Sequence, residues 1–174
     1  LRGLASSDGG KLGNFFVDVV RAVLYVLLPL SLVLALVGVW QGSPQTFQGY
    51  EMVQLLEPVS VDAEGALVDA DDPTAVQEVT EAVVPLGPQS SQVAIKQLGT
   101  NGGGFNGANS ASALENPTPL TNLLQCAAMP LIPFALVFAF GRMVGDRRQS
   151  RALMTVVLAI LAAGLFSVIA AETA

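Results

Sequence analysis

The chain has 174 residues, of which 52% are hydrophobic and 13% are charged, whereas soluble proteins average roughly 25% charged residues. It has no histidine and one cysteine, Cys126, which excludes a Cys/His transition-metal site, an intrachain disulfide and a Cys–His catalytic dyad. The net charge of −6 argues against nucleic acid as a partner. Because the apolar residues fall in blocks, the composition predicts an integral membrane protein in contact with lipid.

Three apolar blocks have about the 20 residues that are needed to cross a hydrocarbon core of roughly 30 Å. They divide the chain into segments of different character. In chain order, the predicted elements are an N-terminal segment (1–21), a transmembrane helix (22–41), an acidic segment (42–87), a short pore helix (88–98), a glycine-rich loop (99–110), a second transmembrane helix (119–141), a basic loop (142–151) and a third transmembrane helix (152–171).

The charges of the connecting segments predict an orientation. Basic residues precede the first span and fill the loop between the second and the third, whereas Lys96 is the one base among many carboxylates between the first two spans. By the positive-inside rule, segments 1–21 and 142–151 are cytoplasmic. The acidic segment and the glycine-rich loop are then extracytoplasmic.

The acidic segment 42–87 is rich in turn residues. Its stretch "EPVSVDAEGALVDA" alternates weakly between apolar and polar residues, which predicts a short hairpin. The carboxylates have two interpretations. They form a solvated surface, or they raise the local cation concentration near a pore mouth.

The stretch "GPQSSQVAIKQLG" predicts a helix with Pro88 at its first position and Gly99 as its stop, too short to span a bilayer. The glycine-rich loop "GTNGGGFNGANS" follows. The second span then begins in "ENPTPLTN", with Thr118 as N-cap and Pro119 at the first position. This order is that of the membrane–pore–membrane unit of potassium channels. It predicts an all-α integral membrane fold with one such unit and one further transmembrane helix.

A physical argument explains why the loop of such a unit is rich in glycine. A dehydrated cation needs oxygen ligands, and backbone carbonyls supply them without a fixed charge. Glycine lets successive carbonyls turn the same way because its φ is not confined to negative values. The pore helix would direct the partial negative charge of its C-terminus at the ion. A phosphate-binding loop is disfavoured because such loops precede a helix and usually end in "GK[ST]".

Several longer stretches resemble the KdpA family, the potassium-binding, channel-like subunits of bacterial Kdp potassium pumps. The resemblance lies in "GPQSSQVAIKQLGTNGGGF", "NGANSASALENPTPLTNLL" and "FGRMVGDRRQ", and extends to "LGNFFVDVVRAVLYVLLPLSLVLALV". Members of the family are about three times longer and have four pore units. The chain is similar to the second unit and the first helix of the third.

The resemblance implies a multi-pass protein of the bacterial cytoplasmic membrane. It also implies potassium, in preference to sodium, as the transported ion of an ATP-driven, high-affinity importer, to which this chain contributes one of four filter strands. The implied partners are a P-type ATPase subunit, which binds ATP and magnesium, and small accessory subunits. No organic cofactor and no catalytic residue is expected in this chain, which has no P-type phosphorylation motif and no Walker sequence.

The expected potassium ligands are mainly the backbone carbonyls of Thr100, Asn101, Gly102, Gly103 and Gly104. The Thr100 hydroxyl is a further candidate ligand, and the Asn101 amide could instead support the strand. Lys96 should face away from the ion and offset the C-terminus of the pore helix. The residues expected to support the loop are Phe105, Asn109, Glu115 and Asn116. Roles in a turn and a cap explain the last three almost as well.

Two other functions stay open at the level of the residues. A pore unit does not reveal an energy source, so the chain could belong to a passive potassium or monovalent cation channel. Sequence beyond residue 174 would discriminate, because two more pore units are expected only for the importer. A membrane scaffold with a slack glycine loop has no use for a helix and glycines in pore order.

Overall fold

The computed structural model describes residues 13–69, 73, 75–100, 102–104 and 106–173. Within these residues, three helices are long and apolar enough to span a membrane: Phe15–Trp40, Pro119–Val144 and Arg147–Glu172. The three predicted apolar spans are therefore helical. Each helix extends beyond the block that predicted it.

The first spanning helix consists of α1 (Phe15–Ala22), a π-helical turn (Val23–Leu27) and α2 (Leu28–Trp40). It begins before the predicted residue 22 because the side chain of Asn14 accepts hydrogen bonds from the first turn. The turn widens just before Pro29, where the Leu28 N–H reaches back five residues to the Val23 carbonyl. Proline has no N–H to continue the regular α-helical pattern.

The acidic segment forms an antiparallel sheet of three strands, β1 (Tyr50–Val61), β2 (Leu67–Val68) and β3 (Gln77–Pro85), in the order β2-β1-β3. The all-α expectation is therefore wrong for this segment. The predicted hairpin is present as β1 and β2, with Val61 opposite Leu67. Its turn forms because the Asp62 carboxylate accepts two backbone N–H bonds and Gly65 adopts φ +82°. The predictions did not include β3, although "QEVTEAVVP" is rich in β-branched residues.

The short helix α3 (Gln89–Gly99) follows the sheet, one residue later than predicted at each end. Pro88 occupies its N-cap position rather than its first position. The helix ends where Thr100 takes the left-handed conformation, with φ 57°. At about 1.5 Å per residue, 11 residues extend roughly half the thickness of a bilayer.

The last two helices are α4 (Pro119–Val144) and α5 (Arg147–Glu172). The predicted cap of α4 is confirmed, since Thr118 and Thr121 form a reciprocal capping box with Pro119 at the first position. The basic stretch 142–151 is mostly helical rather than a loop. Gly145 ends α4 with φ 76°, and the Asp146 side chain caps α5 at once.

The buried core lies where α3 packs between α2 and α4. Its buried apolar residues are Val93, Ala94, Leu98 and Ala128. At the crossing of α2 and α3, the Ser90 hydroxyl donates to the Ala35 carbonyl at 2.8 Å. Gly38 lies so close to Ser90 that a Cβ there would collide with this hydroxyl. The crossing therefore holds α3 beside the first spanning helix.

Candidate functional site

The glycine-rich loop leaves the C-terminal end of α3 in a backbone conformation that L side chains rarely adopt. After Thr100, three consecutive glycines have positive φ: 68° at Gly102, 101° at Gly103 and 91° at Gly104. Only glycine takes such values without strain. The glycine run is therefore required by the backbone path. Two predicted site residues, Asn101 and Phe105, lie outside the described residues.

Next to the loop, a buried ion pair joins α3 to the residues that precede α4. Lys96 Nζ is 2.5 Å from Glu115 Oε2, and the two side chains are 5% and 2% exposed. The same ammonium donates to the Gly107 carbonyl at 2.9 Å. Lys96 was expected to offset the helix C-terminus, but its partners are these two groups. Glu115, predicted as a support residue, supplies the carboxylate.

A second buried contact joins the end of the loop to α3 and α4. The Gln97 amide donates to the Ser110 hydroxyl at 3.0 Å and to the Gln125 side-chain oxygen at 3.2 Å. The Gln125 amide donates in turn to the Glu115 backbone carbonyl at 2.9 Å. Ser110 is only 1% exposed and has φ 54°. Its position is thus fixed by hydrogen bonds rather than by conformational preference.

Polar contacts also connect the loop and its continuation to the rest of the chain. The Asn106 amide donates at 2.7 Å to Gln89, which is 1% exposed at the start of α3. On the side of the first spanning helix, the Ser43 hydroxyl donates to the Leu114 carbonyl at 2.8 Å. Among the described residues, every buried side-chain nitrogen or oxygen has a hydrogen-bond partner. The loop is therefore anchored at several points.

The remaining support residues behave differently from one another. The Asn116 side-chain oxygen accepts from the Thr121 hydroxyl at 2.7 Å, so Asn116 assists the cap of α4. Asn109 is exposed. The predictions did not include Gln89, Gln97 or Gln125, which make the buried contacts. One signal in the sequence could have pointed to Gln89 and Gln97. The short helix has several glutamines beside its apolar stripe.

An open cavity of about 880 Å³ lies beside the loop. Its walls come from the N-terminal half of the first spanning helix, from one face of α3 and from the loop itself. The lining residues are Val23, Leu27, Leu28, Ser31, Gln92, Ile95, Lys96, Leu98, Gly99, Gly102 and Gly104. The one ionisable group among them, Lys96, is paired with Glu115.

The chemistry that these groups can supply is limited. The cavity meets glycine backbone and the C-terminal end of a helix, whose partial negative charge favours a cation. The ionisable side chains at the loop neutralise each other. Backbone carbonyls are therefore the ligands that this arrangement offers.

Comparison with known proteins identifies the family of the chain. The sequence profile of the family described as "KdpA: Potassium-transporting ATPase A subunit" matches residues 1–174. Three similar proteins bear the name potassium-transporting ATPase potassium-binding subunit. The protein from Solidesulfovibrio magneticus is 51% identical over 99% of this chain, that from Desulfovibrio desulfuricans 48% over 99%, and that from Sorangium cellulosum 48% over 100%.

The aligned regions are a small part of those relatives. They amount to 29%, 27% and 28% of the three proteins, respectively, so this chain spans less than a third of their length. That part takes in nearly all of this chain, 99%, 99% and 100% of it, respectively. Three helices of the described residues are long enough to span a membrane. Because the family profile matches its whole sequence, the chain belongs to the KdpA family of potassium-transporting ATPase A subunits.

Proposed function

We propose that this chain supplies one of four filter strands at the extracytoplasmic entrance of an ATP-driven potassium importer. One observation carries the proposal: a helix too short to cross a bilayer ends at three consecutive glycines of positive φ, between two helices of spanning length. Polar backbone at membrane depth is tolerated only where it lines a cavity or is buried in protein. The carbonyls of residues 100–104 would coordinate potassium, and the chain itself would carry out no catalysis.

The names of the relatives favour the importer over a passive channel, because they place those proteins in a potassium-transporting ATPase. The expected partners are accordingly a P-type ATPase subunit, which would bind ATP and magnesium, and small accessory subunits. The expected location is the bacterial cytoplasmic membrane. There the acidic sheet and the loop would face outward.

The orientation can be tested with cysteines at two exposed positions. In full-length protein from which Cys126 has been removed, a cysteine replacing Ala63 in the β1–β2 turn should react with a membrane-impermeant thiol reagent added to intact cells. A cysteine replacing Gln149 at the start of α5 should react only after the cells are opened. Both side chains are exposed, so a failure to react reports the side of the membrane. The reverse pattern would contradict the outward-facing loop.

The role of the glycines can be tested with a pair of substitutions that differ only in location. Gly103 (φ +101°) and Gly65 (φ +82°) both have open space where a Cβ would go. Gly103→Ala in the full-length subunit, within its complex, should raise the potassium concentration for half-maximal uptake severalfold, because alanine at positive φ costs roughly 1 kcal/mol or more. Gly65→Ala carries similar strain in the outer hairpin and should leave uptake unchanged. Equal effects of both substitutions would refute a filter role for Gly103.

A further inference from the structure

We propose that Lys96 and Glu115 are positioning residues that set the electrostatic field at the glycine-rich loop. The ammonium holds the loop, and the carboxylate cancels the charge that this contact would otherwise place beside the ion. The inference rests on the proposed filter function and adds a determinant of ion affinity outside the coordinating backbone.

The geometry places the pair next to Gly104. A Cβ on Gly104 would lie 3.1 Å from Lys96 Nζ and 3.2 Å from Glu115 Oε1. The ammonium also donates to the Gly107 carbonyl, so this carbonyl is directed to the pair. The Lys96 ammonium thus links the last turn of α3 to the glycine-rich loop, through Gly107, and to Glu115, which lies just before α4.

Stability alone is a poor reason for a buried pair. Replacing such a pair with well-packed apolar groups is often neutral or stabilising, because burial of two charges carries a large desolvation penalty. A role in electrostatics fits the surroundings better. Lys96 and Glu115 are almost fully buried, and Lys96 lines the cavity together with Gly102 and Gly104. In such a place, an uncompensated charge acts over several ångströms with little screening by water.

This proposal predicts opposite effects of the two single neutralisations. Glu115→Gln keeps an oxygen that can accept from Lys96 but leaves a net positive charge. The potassium concentration for half-maximal uptake should then rise about tenfold, with the maximal rate changed by less than about twofold. Lys96→Met leaves a net negative charge, which attracts monovalent cations irrespective of size. It should therefore not raise the potassium concentration for half-maximal uptake, and it should reduce the preference for potassium over rubidium.

The double variant Lys96→Met/Glu115→Gln is the matched control, because it removes both charges together. Its half-saturating potassium concentration should lie within about threefold of the wild-type value, a much smaller change than that of Glu115→Gln. The effects of the two substitutions on potassium affinity are then strongly non-additive. A purely structural role predicts instead that both single variants weaken affinity in the same direction. It also predicts that the double variant is no better.

All variants are made in the full-length subunit and measured in purified, assembled complex. If Glu115→Gln does not assemble, Lys96→Met and the double variant carry the test, because the first leaves a net negative charge and the second leaves none. Weaker potassium affinity of Glu115→Gln at a normal maximal rate, restored in the double variant, supports the proposal. Unchanged affinity and unchanged ion preference in the single variants that assemble overturn it. If Gly103→Ala weakens uptake while the charge variants leave affinity and ion preference unchanged, this inference fails and the filter proposal stands. If none of them has an effect, both fail.

Discussion

Gly102→Asp in the full-length subunit is expected to weaken potassium uptake by about tenfold or more and to reduce discrimination against other monovalent cations. Gly102 has φ +68°, and a Cβ there would lie 3.3 Å from the Ala108 Cβ. An L residue at this conformation costs about 1–3 kcal/mol, which would turn the Gly102 carbonyl away from its position. The added carboxylate would attract any monovalent cation, whatever its size.

The measurement is uptake of potassium and of rubidium, with potassium-stimulated ATP hydrolysis, in complex that is shown to be assembled. Gly42→Asp is the matched control, because Gly42 also has positive φ (+103°) and open space around it but lies beyond the end of α2. Uptake by the Gly42→Asp complex should resemble wild type. Normal affinity and normal ion preference in assembled Gly102→Asp complex would mean that Gly102 is not part of the filter.

The second large effect is expected at the crossing of α2 and α3. Gly38→Leu places a side chain where the Ser90 hydroxyl already lies. Overpacking of this kind costs about 1–3 kcal/mol, and loss of the Ser90–Ala35 hydrogen bond adds roughly 1 kcal/mol. Helix α3 should then separate from the first spanning helix. We expect a lower thermal stability of the purified complex and a smaller assembled fraction.

Gly164→Leu in α5 controls for the added apolar bulk. Gly164 is also within a spanning helix, but apart from its chain neighbours and the backbone of its own helix, no heavy atom of the described residues lies within 4 Å of its Cβ position. Its complex should assemble and melt like wild type. Equal losses for both variants would show that the close approach at Gly38 has no special importance.

The sequence was most informative where a property belongs to neighbouring residues. Apolar length predicted three spanning helices, and the local pattern at Thr118 and Pro119 predicted the cap of α4. The ends of the short helix were predicted to within one residue because Pro88 marks its start and Gly99 its end. The start of the first helix was placed too late, since the prediction followed hydrophobicity and not the capping side chain of Asn14.

The predictions were weaker where partners are distant along the chain. The pairing of Lys96 with Glu115, and of Gln97 with Gln125, depends on how α3 packs between α2 and α4. The spacing of apolar residues along the sequence does not show which helices pack together. Strand β3 was missed for a similar reason, because its identity depends on pairing with β1, from Tyr50 opposite Pro85 to Val61 opposite Gln77. The filter residues themselves stay a prediction, to be decided by the glycine substitutions.

The connection between α4 and α5 has a mechanical consequence. Gly145 and Asp146 are the only residues between the two helices, and Gly141 packs directly against Ser150 across the bend. There is consequently no slack at this joint. A displacement of the glycine-rich loop that pushed α4 along its axis would carry the beginning of α5 with it, since no flexible linker is present to absorb the movement.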